Sequence, residues 1–194
     1  MHESFPRLHV VTDSLDVVRQ VAGLGPLAVQ IRVKTTDAEA YALTVEALEI
    51  CRAAGLMCLV NDRVGVALAA GADGVHLGAD DLPVAAARRV LGPGAVIGAT
   101  CRTPEAATSA VGDGATYLGV GPAFATSTKD GLPPPIGPAG VAAVVAAVPD
   151  TPVVAIGGIT VDRVPLLNAH GIAAVSAIAR DPKRVAGEFL DALR

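Results

Sequence analysis

Aromatic residues make up only 3% of the 194-residue sequence, and Trp is absent. That scarcity removes the stacking platform on which single-stranded nucleic acids are held. It also leaves the core to be built from Ala, Val, Leu and Ile. Cysteine is scarce too: Cys51, Cys58 and Cys101 have neither the even count of a disulfide framework nor a CxxC metal spacing. They are expected as small buried hydrophobes. Basic residues number 15 against 19 acidic ones, and a net charge of −4 argues against a general polyanion surface. The longest uninterrupted apolar run, Val141 to Val148, is far too short to span a bilayer. The opening Met1-His2-Glu3-Ser4 lacks a basic stretch followed by an apolar one, so no signal peptide is expected. The expectation is a cytoplasmic protein with no nucleic-acid and no membrane partner. The oligomeric state stays open, a homodimer included.

What is abundant is apolar: 52% of the chain, against 18% charged, enough for one sizeable core spanning residues 1–194 as a single domain. Short apolar or β-branched runs recur throughout: Leu8–Val11, Leu27–Val33, Leu56–Val60, Gly74–Leu77, Val96–Gly98, Tyr117–Val120, Val153–Ile156 and Ala174–Ser176. Most are almost continuously apolar, as in parallel strands covered on both faces. Ala-rich helical segments follow them: Leu15–Ala22, Ala38–Ala53, Val64–Ala70, Val84–Val90, Pro104–Val111, Ala139–Ala147, Asp162–Ala169 and Pro182–Leu193. Thr103-Pro104-Glu105 has an N-cap, a first-turn proline and a first-turn acid, and Asp181-Pro182 opens the last helix in the same way. Eight strand–helix units predict a compact (β/α)₈ TIM barrel, with a doubly wound sheet as the alternative. The Gly/Pro-rich stretch Asp130 to Pro138 is expected as a long functional loop.

In a barrel the C-terminal strand ends form the active site. Only three lysines occur, and two of them, Lys34 and Lys129, fall at such ends. Alternation would put Gln30, Arg32 and Lys34 on one strand face, where cations are costly unless they meet an anion such as a diphosphate. Asp62 and Asp81 end consecutive strands beside this basic cluster. They suit a Mg²⁺ bridging to diphosphate oxygens, or serve singly as helix caps. His76 is either a satisfied core histidine or a site residue. Thr126-Ser127-Thr128-Lys129 offers hydroxyls and a cation to a phosphate, and Gly157-Gly158 allows backbone N–H groups to approach one. No Ser/His/Asp or Cys/His pair has a spacing suited to nucleophilic catalysis.

Gln30-Ile31-Arg32-Val33-Lys34, Asn61-Asp62-Arg63, the run Gly74-Val75-His76-Leu77-Gly78-Ala79-Asp80-Asp81-Leu82-Pro83, the run Gly119 to Lys129 and Ala155-Ile156-Gly157-Gly158-Ile159 together resemble the thiamine-phosphate synthase family. The motifs stand in collinear order from Leu8 to about Asp181, nearly the whole chain. The resemblance implies a (β/α)₈ barrel transferase of thiamine biosynthesis. It would join 4-amino-5-hydroxymethyl-2-methylpyrimidine diphosphate to 4-methyl-5-(2-phosphoethyl)thiazole and release diphosphate. By position, Gln30, Arg32, Lys34, Asn61 and Lys129 would bind the pyrimidine diphosphate, and Asp62 and Asp81 would hold Mg²⁺. Thr100 stands where the family has serine, and His76 joins the substrate-binding set. Thr126, Thr128, Gly158 and Ser176 would hold the thiazole phosphate. Arg32, Lys34 and Lys129 would act on the leaving group. Val33 replaces an acid usual between the Arg and Lys, Arg102 replaces a usual histidine, and the segment Gly171 to Ser176 is shorter than the family's. A thiazole tautomerase of the same fold and a non-catalytic paralogue binding the same phosphates are the competing readings.

Overall fold

The computed structural model describes residues 5–126, 131 and 133–194. Among these, eight strands close into one parallel barrel in chain order: β1 (Leu8–Thr12), β2 (Ala28–Ile31), β3 (Met57–Asn61), β4 (Gly74–Leu77), β5 (Val96–Cys101), β6 (Tyr117–Val120), β7 (Val153–Ile156) and β8 (Gly171–Ala174). Closure comes from β8 pairing with β1, Leu8 beside Ile172 and Val10 beside Ala174. The connections are α1 (Leu15–Val21), α2 (Asp37–Ala54), α3 (Val64–Ala70), α4 (Val84–Leu91), α5 (Pro104–Gly112), α6 (Gly137–Ala147) and α7 (Pro182–Ala192). Between β7 and β8 the connection is instead a 3₁₀ helix, Val161–Leu166.

Local chemistry accounts for the helix starts. Thr36 and Glu39 form a reciprocal capping box at α2. Thr103 and Asp181 accept from the N–H groups of Ala106 and Arg184, each just ahead of a first-turn proline. Both caps agree with the sequence expectation. The expected helix Asp162–Ala169 does not form, because Pro165 lies inside it and has no N–H to donate.

Alternation along the strands separates two layers. Val60, Val75, Leu77 and Ile97 face outward onto Val64, Ala67 and Ala87 of α3 and α4. Val11, Ala28, Leu59, Tyr117, Val154 and Ala173 fill the barrel interior. Cys51, Cys58 and Cys101 are free and buried, as expected.

Two strands differ from expectation. β2 stops at Ile31, where its pairing with β1 ends at Thr12, so the strand alternation does not reach Lys34, which is exposed. β8 lies at Gly171–Ala174 rather than at Ala174–Ser176, because its level is set by β7 (Val154 beside Gly171) and β1. A Cβ on Gly171 would sit 2.1 Å from the Arg7 carbonyl oxygen, so glycine permits that close approach.

Candidate active site

A cavity of about 220 Å³ opens among the C-terminal halves of the strands. Its inner part is lined by neutral polar groups on inward-facing strand positions. Gln30 on β2 is buried, and its Nε2 donates to Oδ1 of Asn61 on β3 at 2.7 Å. His76 on β4 sits between Thr100 Oγ1, 3.0 Å from Nε2, and the Tyr117 hydroxyl, 2.9 Å from Nδ1. Both ring nitrogens are thus satisfied, and the ring nevertheless lines the cavity. The two sequence-level options for His76 hold together. Burial drives its pKa down to about 4, against a smaller opposing pull from Asp81. His9 on β1 is buried too, with its pKa pushed down to about 3 by desolvation and then by His76. Burial likewise raises the Tyr117 phenol well above its ordinary range. The inner wall is therefore uncharged at neutral pH.

Space for these rings comes from glycine. A Cβ on Gly98 would lie 2.2 Å from the Tyr117 ring and 2.5 Å from His76 Nδ1. One on Gly119 would lie 2.6 Å from His76 Cε1. Both glycines sit at positions where a side chain would fill the barrel.

Charge is gathered at the mouth. Arg32 lines the cavity just past β2, with its N–H donating to the Thr12 carbonyl at 2.9 Å. Lys34 instead lines an adjoining cavity with Thr12 and Asp13; the two cavities share Arg32 and Ser176. Arg63 fastens the segment that leads from β2 into α2 by an ion pair to Asp37 and a 2.9 Å hydrogen bond to the Thr35 carbonyl. Asp62 follows β3, and Asp81 lies in the loop after β4. Asp62 has a φ of 64°, in a tight turn where Arg63 N–H donates to the Asn61 carbonyl at 2.7 Å. Asp81 Oδ2 accepts from the Gly78 N–H at 2.7 Å. The two carboxylates converge on Gly78, where a Cβ would lie 2.8 Å from Asp81 Oδ2 and 3.9 Å from Asp62 Oδ1. Asp62 and Gly78 line the cavity.

Thr100, Thr126, Gly158 and Ser176 also line it, Ser176 lying just beyond the end of β8. Thr128 and Lys129 lie outside the described residues. Gly157 and Gly158 have φ of 98° and 61°, and a Cβ on either would strike the loop after β6, at Pro122 and at the Ala125 carbonyl. Arg102 is turned to the Pro134 carbonyl, 2.6 Å from its Nη2, and is not among the residues lining the cavity. Sequence reasoning missed Tyr117, His9 and Gly98. Their only signal was an inward-facing register, which needs the closed barrel to be visible.

The two buried histidines predict a pH dependence. Each folded-state pKa is depressed below the ordinary 6.5. The unfolded chain therefore binds the extra protons, and the stability from neutral burial is complete above pH 6.5 and lost as pH falls toward 4. The loss approaches about 1.4 kcal/mol per pH unit for each histidine. Urea midpoints measured between pH 7 and 4.5 should fall steeply, and less steeply in His76→Gln. Parallel curves for the two proteins would assign the acid lability elsewhere.

Residues 6–180 match the family model described as thiamine monophosphate synthase. A thiamine-phosphate synthase of Salinispora arenicola is 51% identical over 98% of each chain. One of Salinispora tropica is 47% identical over the same shares. Among solved structures, a thiamine phosphate pyrophosphorylase from Pyrococcus furiosus superposes with a TM-score of 0.88 at 33% identity, covering 99% of this chain and 96% of that one. Among the described residues, no helix is long and apolar enough to cross a membrane.

Proposed function

The chain belongs to the thiamine monophosphate synthase family, and on that premise we propose that it joins hydroxymethylpyrimidine diphosphate to thiazole phosphate with release of diphosphate. The observation that carries this reading is the division of the cavity. Gln30, Asn61 and Thr100 offer uncharged hydrogen-bonding groups to a neutral heteroaromatic ring, beside the neutral rings of His76 and Tyr117. Arg32 at the mouth, with Lys34 on the adjoining wall, faces the charged end.

The convergence of Asp62 and Asp81 on Gly78 fits a Mg²⁺, because two carboxylates leave its other positions for water and phosphate oxygens. These two residues would hold the ion, which when bound would offset negative charge on the diphosphate. The rest belongs to the chain's own groups. Arg32, Lys34 and Lys129 bind the diphosphate and offset the charge it gains as its C–O bond breaks. Gln30 and its neighbours hold the pyrimidine, and Thr126, Thr128, Gly158 and Ser176 orient the thiazole phosphate so that its ring nitrogen forms the new C–N bond. The interior position of the ring keeps water from the cationic carbon. No proton has to be removed for this bond to form, in keeping with a wall of neutral, non-basic groups.

Incubation with both substrates and Mg²⁺, followed by chromatography for thiamine phosphate, tests the assignment. Product supports it. Binding of both substrates without product would favour a non-catalytic paralogue. Metal-independent isomerisation of a thiazole phosphate would favour a tautomerase.

A further inference from the structure

Arg163 lies outside the motifs that define the site and outside the cavity lining, yet it reaches the loop that forms one wall. Its Nη1 donates to the Gly158 carbonyl at 2.6 Å. Its guanidinium carbon stands 4.8 Å from the centroid of the Phe124 ring, over the ring face. The backbone N–H of Arg163 donates to the Thr160 carbonyl at 2.9 Å, so the residue is anchored at its own root by the turn that opens the 3₁₀ helix. Two loops are thereby clasped by one side chain: Gly157–Thr160 after β7, and the loop after β6 that carries Phe124 and leads to Thr126. Those loops also interlock through their backbones, with Ala123 N–H on the Ile156 carbonyl at 2.8 Å and Phe124 N–H on the Gly157 carbonyl at 3.0 Å.

A trans peptide is planar, and its C=O and the next N–H point in opposite directions. Pulling the Gly158 carbonyl toward Arg163 therefore turns the Ile159 N–H the other way. Gly158 and Ile159 line the cavity, whereas Arg163 does not. A guanidinium drawing on the carbonyl also polarises the peptide and strengthens its N–H as a donor. We propose that Arg163 is a positioning residue for the second substrate, holding the Gly158–Ile159 peptide so that its N–H faces the phosphate group of the thiazole. The inference rests on the synthase reading for the identity of that phosphate. Arg163 acts through the peptide and touches no substrate.

The choice of arginine follows from the double task. Its flat, delocalised cation can stack on Phe124 and still donate in plane to a carbonyl. A lysine can do only one of these well. Gly158 is required for the same geometry, since φ is +61° and a Cβ would lie 2.3 Å from the Ala125 carbonyl oxygen.

The test compares two probes, thiazole phosphate and the thiazole alcohol without its phosphate, by calorimetry on the whole protein. Arg163→Ala is expected to weaken thiazole phosphate by at least about tenfold, the loss of one well-placed hydrogen bond to a charged group. Binding of the alcohol and of the pyrimidine diphosphate should be unchanged. In turnover the KM for thiazole phosphate should rise more than kcat falls, and Arg163→Lys should recover only part of the loss. Equal weakening of phosphate and alcohol would show a general loosening of the loops and overturn the proposal. So would unchanged binding of the phosphate, or full recovery in Arg163→Lys. A wild-type protein that binds neither thiazole probe nor the pyrimidine diphosphate would instead overturn the synthase reading, and this proposal with it.

Discussion

Asp62→Asn is expected to lower kcat/KM by about 10²–10³-fold, with the thermal midpoint nearly unchanged. The reason is that Asp62 does two separable things. Its backbone has a φ of 64° in a tight turn closed by the Arg63 N–H and the Asn61 carbonyl. Its carboxylate meets that of Asp81 around Gly78. Asparagine tolerates a positive φ nearly as well as aspartate, so this substitution keeps the turn while removing the charge. Asp62→Gly should go further. Relief of the left-handed strain should raise stability by about 1 kcal/mol, while activity falls as far as in the Asn variant. A site that holds strain in exchange for a placed carboxylate predicts this opposition of stability and turnover. Steady-state kinetics with saturating Mg²⁺, beside urea unfolding of the same three proteins, would check it. Full activity in Asp62→Asn would remove the charge from the account.

The second large effect concerns space rather than charge. Gly98→Ala should destabilise the fold by about 3 kcal/mol. The added Cβ would stand 2.2 Å from the Tyr117 ring and 2.5 Å from His76 Nδ1, so both rings would have to leave their present positions. Both rings belong to the hydrogen-bonded chain Thr100–His76–Tyr117, so displacing them also strips partners from buried polar atoms. Gly65→Ala is the matching control. Gly65 lies within α3 with open space around its would-be Cβ, and there the same added methyl should stabilise by about 0.5–1 kcal/mol. Guanidinium unfolding of both variants reads the contrast directly. Equal effects of the two substitutions would mean that the interior is looser than these contacts require.

The two variants mark where sequence reasoning succeeds and where it stops. Asp62 was visible because it ends an apolar run and stands beside Asn61, at a place where a barrel puts its chemistry. The caps Thr103 and Asp181 were visible because their chemistry is local. Gly98 and Tyr117 were not. They sit on neighbouring strands and meet only when β5 and β6 are paired, Gly98 beside Tyr117. Lys34 shows the opposite error. Apolar Ile31 and Val33 prolong the strand pattern, but β1 gives β2 no pairing partner beyond Thr12, and the alternation is lost at Ile31. β8 was placed late for a similar reason, since Ala-rich runs carry little periodicity and the strand's level is decided by its two neighbours. Arg163 had no signal in the sequence at all. Its importance comes from a carbonyl and a ring that lie far from it along the chain or across a turn, and only the folded loops bring them together.

The central claim is that the neutral inner wall and the charged mouth together couple two substrates while keeping water out. Phosphorus NMR of the protein with pyrimidine diphosphate, thiazole phosphate and Mg²⁺ tests it most directly. The account predicts that inorganic diphosphate and thiamine phosphate appear together in equal amounts as the diphosphate ester and the thiazole phosphate disappear. Diphosphate released without thiamine phosphate, leaving the thiazole phosphate signal intact, would show that water reaches the reacting carbon and would contradict it.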